Sequence, residues 1–176
     1  MQGLMQDWPL RVTSIIDHAA RFHGDREVVT RTVEGPITRT TYKDIHLRAR
    51  KVAQALTKLG MKEGDVVATM AWNTARHLEA WYGIMGMGAV CHTLNPRLFA
   101  EQLVYIINHA EDKLVFLDLT FVPILEGIAD KLATREMPVF GPSRDGAQLE
   151  ADKAFAKAPR RSVSIRTTPR SSRRDS

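Results

Sequence analysis

The side chains best suited to chemistry in this chain are six histidines, His18, His23, His46, His77, His92 and His109, and one cysteine, Cys91. A zinc or similar metal site read from sequence needs ligands at short, fixed spacing, such as two histidines four apart on a helix with a glutamate between them. No pair here has that spacing, and Cys91-His92 is a lone adjacent pair. Nucleophilic catalysis would call for a Gly-x-Ser-x-Gly elbow or an activated thiol; the first is missing, and Cys91 lies in an apolar run where a thiol acts as a small hydrophobe. The reading is surface histidines plus one buried strand thiol, with no catalytic and no metal residue assigned.

Glycines invite a second chemistry. Gly83, Gly86 and Gly88 resemble a dinucleotide loop, but that fingerprint leaves a strand and opens a helix, so that phosphate meets the helix N-terminus. These glycines instead end a helical pattern and enter a strand pattern, which favours close helix-sheet packing and assigns no cofactor-binding residue. Trp72, Trp81 and Tyr82 lack an accompanying basic stripe and read as core or pocket wall rather than a base-stacking platform.

The elements that would hold these residues follow from periodicity. Ile15, Ile16, Ala19 and Phe22 predict a first helix, with Ser14 as its cap and Gly24 as its stop. Val28 to Thr30 and Ile37-Thr38, separated by Glu34-Gly35-Pro36, predict a hairpin. Thr41 caps the clearest helix, whose stripe Tyr42, Ile45, Ala49, Val52, Leu56 and Leu59 ends at Gly60. Its opposite face, from Lys43 and His46 to Lys58, is polar and expected to be solvated.

The run Val66 to Ala71 is apolar enough for a strand buried on both faces. A helix beginning near Asn73-Thr74 carries Leu78, Trp81, Tyr82 and Met85 as its stripe, and the strand Ala89 to Thr93 follows it. Next come a helix with Phe99, Leu103, Ile106, Ile107 and Ala110, the strand Leu114 to Asp118, and a helix opened by Thr120 and Pro123. Repeated strand-helix alternation with apolar strands predicts an α/β fold, a partial parallel sheet of βαβ units with helices on both faces. There is no internal sequence repeat.

Composition narrows the class. Of 176 residues, 44% are hydrophobic and 26% charged, as in ordinary globular proteins. The net charge of +5 would suggest a nucleic-acid partner, but Ala158 to Ser176 holds six arginines and one aspartate; removing these from the 25 basic and 20 acidic residues leaves 19 of each. The body is neutral. The expected division is residues 1–133 as an incomplete α/β subdomain and 134–176 as a divergent, largely disordered Arg/Ser-rich tail. Within the second part, 141–146 reads as loop and 147–158 as a weak helical patch. The tail composition is also what GC-rich coding sequence yields out of frame. One cysteine, no secretory signal and no run of membrane-spanning length lead to a cytoplasmic expectation without a membrane span.

Several segments together resemble the acyl-CoA synthetases, the AMP-dependent synthetase/ligase superfamily of adenylate-forming enzymes. These are Thr41-Tyr42, Leu59 to Val67, Trp72-Asn73, Glu79, Tyr82-Gly83, Gly86 to Val90, Leu94 to Leu98 and His109 to Asp112. Cys91 to Phe99 is most similar to medium- and long-chain fatty-acid and methylthiopropionate CoA ligases. The resemblance covers Trp8 to about Leu132 and implies the N-terminal domain fold of adenylate-forming enzymes.

For intact members the resemblance implies ATP, Mg and CoA as cofactors, a fatty acid or other carboxylate as substrate, and homodimer formation. The family's Thr/Ser/Gly loop ending in Pro-Lys-Gly, its aromatic-Gly-x-Thr-Glu stretch, its ribose-binding aspartate and its C-terminal lysine have no counterpart here. The chain is therefore expected to be a fragment, truncated or frameshifted, inactive alone and holding no cofactor, unless a separately encoded remainder complements it. Arg97 or His92 would border a substrate or interface surface in an intact enzyme, and an apolar sheet edge or helix face left bare would favour aggregation. The competing reading is a non-catalytic α/β binding module whose basic tail contacts nucleic acid or acidic surfaces; the first reading includes no specific nucleic-acid partner.

Overall fold

The computed structural model describes residue 3 and residues 7–32, 35–133 and 139–140. The expected tail, with the loop and helical patch assigned to 141–158, lies outside the described residues.

Helix α1 spans Thr13–Phe22. Ser14 does not cap it: the N–H of Ser14 already bonds the Arg11 carbonyl at 3.0 Å, so the turn starts earlier and Val12 holds the cap position without a side-chain bond. Strands β1 (Glu27–Arg31) and β2 (Ile37–Thr41) form the expected antiparallel hairpin, Glu27 opposite Thr41 and Arg31 opposite Ile37. Gly35, at φ 147°, supplies the turn.

Helix α2 (Tyr42–Lys58) starts as its sequence predicts, Thr41 Oγ1 accepting the Asp44 N–H at 3.2 Å. Ile45, Ala49, Val52, Ala55 and Leu56 are buried along one face. Leu59, placed on that stripe by spacing, lies just past the helical residues and is exposed. Gly60, at φ 88°, takes the left-handed conformation that ends the helix.

From there the chain alternates: β3 (Val66–Met70), α3 (Ala75–Gly86), β4 (Val90–Thr93), α4 (Ala100–Ala110), β5 (Leu114–Leu117), α5 (Val122–Ile128) and β6 (Val139–Phe140). Short 3-10 turns, Leu119–Phe121 and Ala129–Lys131, flank α5. The four later strands form a parallel sheet in the order β4-β3-β5-β6, with Val67 of β3 between Cys91 of β4 and Leu114 of β5.

Side chains alternate across the sheet, so each face has its own core. Val67 and Leu114 meet Val52 and Leu56 of α2 and Ile84 of α3. On the other face Ala68, Met70, Val115 and Leu117 meet Leu103 and Ile107 of α4 and Leu125 and Ile128 of α5. Helices on both faces of a parallel sheet are what apolar strands predict.

Two expectations change. β4 is an edge strand among the described residues, with Val90 and Thr93 exposed and Cys91 and His92 half-buried, so Cys91 does not sit in a strand buried on both faces. The buried residues of α3 are Glu79, Ala80, Gly83 and Ile84, not the stripe Leu78, Trp81, Tyr82 and Met85. Gly83 turns the helix: a Cβ there would lie 2.6 Å from Val52 Cβ and 2.9 Å from the Ala49 carbonyl oxygen. The glycine thus serves a close approach of α3 to α2, not to the sheet, while Gly88, at φ 85°, serves the turn into β4.

Candidate functional site

From β3 the chain goes out to β4 through α3, then returns through α4 past β3 to β5 on its other side. With α3, which follows β3, and α5, which follows β5, on opposite faces of the sheet, the connections diverge at the carboxyl ends of β3 and β5. Open parallel sheets bind ligands at such switch points. Trp72 and Asn73 follow β3 there, and Asp118 and Thr120 follow β5.

Trp72 is the best-held of these. Its backbone N–H donates to Asp118 Oδ2 at 2.7 Å, its indole Nε1 to Thr120 Oγ1 at 3.4 Å, and its ring leans on Phe121 with centroids 5.0 Å apart. Trp72 is nevertheless 39% exposed, so a residue fixed by these contacts keeps open surface at this end of the sheet. The adjoining N-terminus of α3 offers less to an anion. Its Ala75 N–H donates to Thr30 Oγ1 at 3.1 Å and its His77 N–H to Thr74 Oγ1 at 3.3 Å, so two of the first N–H groups are already taken.

Three side-chain pairs are part-buried. His77 Nε2 is 3.0 Å from Thr69 Oγ1, and Thr69 also bonds the Cys91 thiol. Burial pushes the Cys91 thiol up to about 11 against that bond, the reverse of an activated nucleophile. Burial lowers the His77 pKa below 6.5, opposed by the charge of Asp118 and a bond to the Trp72 backbone, which favours neutral imidazole.

Arg48 of α2 donates through Nε to Glu79 Oε1 at 2.7 Å. Glu79 is 6% exposed; burial raises its pKa, while the bond and charge of Arg48 pull it back down. On the edge strand, His92 Nδ1 is 2.9 Å from Asp112 Oδ2. Asp112 is 1% exposed, and its pKa is raised by burial against the opposing pull of His92. Both pairs satisfy a carboxylate that would otherwise be costly to bury.

The structure scatters the six histidines rather than gathering them. His18 packs on Phe22 and His23, His46 pairs with Asp17 at 2.9 Å, and His109 stacks on Tyr105. His77 and His92 are half-buried and hydrogen-bonded, not surface residues, and so differ from the sequence reading. Among the described residues no group of three or more His, Cys, Asp or Glu could hold a metal ion, and no helix is long and apolar enough to cross a membrane. Arg97 is exposed at the strand-to-helix corner, where its N–H donates to Asn95 Oδ1 at 3.0 Å. Trp81 is exposed and Tyr82 half-buried, away from the role of a stacking platform.

The Trp72–Asp118 bond and the His92–Asp112 pair were missed by sequence reasoning. For the first there was a weak signal: Asp118 closes an apolar strand, at the end where parallel sheets carry their polar groups. For the second there was none, because His92 and Asp112 meet only through tertiary packing.

Comparison with known proteins gives a consistent result. The profile described as AMP-binding enzyme matches residues 16–174. The chain is 49% identical, over 148 residues, to a 3-methylmercaptopropionyl-CoA ligase of Ruegeria lacuscaerulensis, which covers 84% of this chain and 28% of that protein. It is 53% identical over 132 residues to a medium-chain-fatty-acid–CoA ligase of Ectopseudomonas oleovorans, 75% of this chain and 24% of that one. Among solved structures, an anthranilate CoA ligase in complex with anthranoyl-AMP superposes with a TM-score of 0.70 at 20% identity, over 86% of this chain and 29% of that one. A fatty acyl CoA synthetase of Mycobacterium tuberculosis does so at 0.62 and 24%, over 75% and 26%. The two structures share the fold, and the chain spans 24% to 28% of the length of these two curated relatives.

Proposed function

The chain belongs to the AMP-binding enzyme family, and from that premise we propose that it is the N-terminal scaffold of an acid–CoA ligase. The whole protein would join a fatty acid or related carboxylate to CoA with ATP, releasing AMP and pyrophosphate. The observation that carries this reading is the 49% identity to a 3-methylmercaptopropionyl-CoA ligase over 84% of the chain. The cytoplasm as its compartment, homodimer formation and the boundary near residue 133 are further parts of the proposal.

What this chain contributes is shape. Its parallel sheet sets a crevice with the pinned Trp72 at the same end, and Arg97 and His92 flank the same sheet. ATP and Mg call for several cations and backbone N–H groups converging on phosphate. The described residues do not fit that demand: the α3 N-terminus is largely satisfied by Thr30 and Thr74, and no cluster of three or more metal-ligating side chains is present among them. No chemical step is therefore assigned to a residue of this chain, and it is proposed to be inactive alone. The binding-module reading gains no support, since the curated relatives are acid–CoA ligases.

The test is ATP–pyrophosphate exchange by the purified chain with medium-chain fatty acids and 3-methylmercaptopropionate. The expected result is no exchange above background; robust, acid-dependent exchange would overturn the assignment of the phosphate-gripping residues to other segments.

A further inference from the structure

No further inference is drawn: the strongest candidate, the half-exposed His92 on the edge strand β4 with its Nδ1 held by the buried Asp112 carboxylate, carries nothing because nothing in the structure shows what covers that edge or meets the outer ring nitrogen.

Discussion

The two faces of the parallel sheet hold their helices by different means. Where α4 and α5 lie, the interior is made of Ala68, Met70, Leu103, Ile107, Val115, Leu117, Leu125 and Ile128, and cohesion comes from apolar area. Where α2 and α3 lie, Val67, Ile84 and Leu114 share the space with Thr69, His77, the Arg48–Glu79 pair and a glycine contact between the helices. One face is stabilised by filling volume, the other by removing a side chain and satisfying polar groups. They should therefore fail in opposite ways, the first when atoms are removed and the second when atoms are added or a charge loses its partner.

The largest effect is expected from Gly83→Leu, because even a Cβ there would sit 2.6 Å from Val52. Circular dichroism melts should show no cooperative transition; a melt like the parent's would mean that the two helices can separate cheaply. On the opposite face Leu103→Ala, at a fully buried site, should cost about 3 kcal/mol in urea unfolding, the usual scale for a core leucine.

Arg48→Met should cost on the order of 2 to 3 kcal/mol, since it leaves the Glu79 carboxylate buried without its main partner. Adding Glu79→Leu to it should recover most of that loss, as removal of both charges leaves nothing to solvate. If the double variant were as unstable as the single one, the polar character of this face would be incidental.

The faces should also part company in acid. Because the pKa of His77 is lowered in the folded chain, the unfolded chain takes up the proton first as pH falls through 6.5. Stability contributed by neutral His77 is present above 6.5 and is lost as pH drops from there toward its folded value. Urea midpoints measured from pH 7.5 to 5 should fall for the parent, and His77→Gln should flatten that decline. The smallest effect concerns Cys91: with its pKa near 11, roughly one thiol in a thousand is ionised at pH 8. Iodoacetamide should modify it far more slowly in the folded chain than in urea.

The same contrast sets how much was legible in advance. Leu103 and Ile107 of α4, the Thr41 cap, the hairpin and the parallel strand alternation were all readable, because apolar spacing or a capping residue states them locally. The α3 face was not. Periodicity favoured Trp81 and Met85, whereas the buried positions are Glu79, Ala80, Gly83 and Ile84; a carboxylate and a hydrogen atom carry no hydrophobic signal, yet here they define the contact. Strand order was only faintly legible: His92 and Thr93 make β4 less apolar than β3, but only the return of the chain past β3 makes one an edge and the other the centre among the described residues. The candidate crevice was partly visible through Trp72-Asn73, but its anchoring by Asp118 and Thr120, more than forty residues away, is a product of the crossover.

That outlying position of β4 has a practical side. Val90 to Thr93 carries no lysine, aspartate, glutamate or proline, the residues that keep bare strands from recruiting neighbours, and Val90 faces water. Overexpressed by itself, the polypeptide should concentrate poorly and drift into inclusion bodies; Val90→Lys is the change that would keep a sample monodisperse on a sizing column.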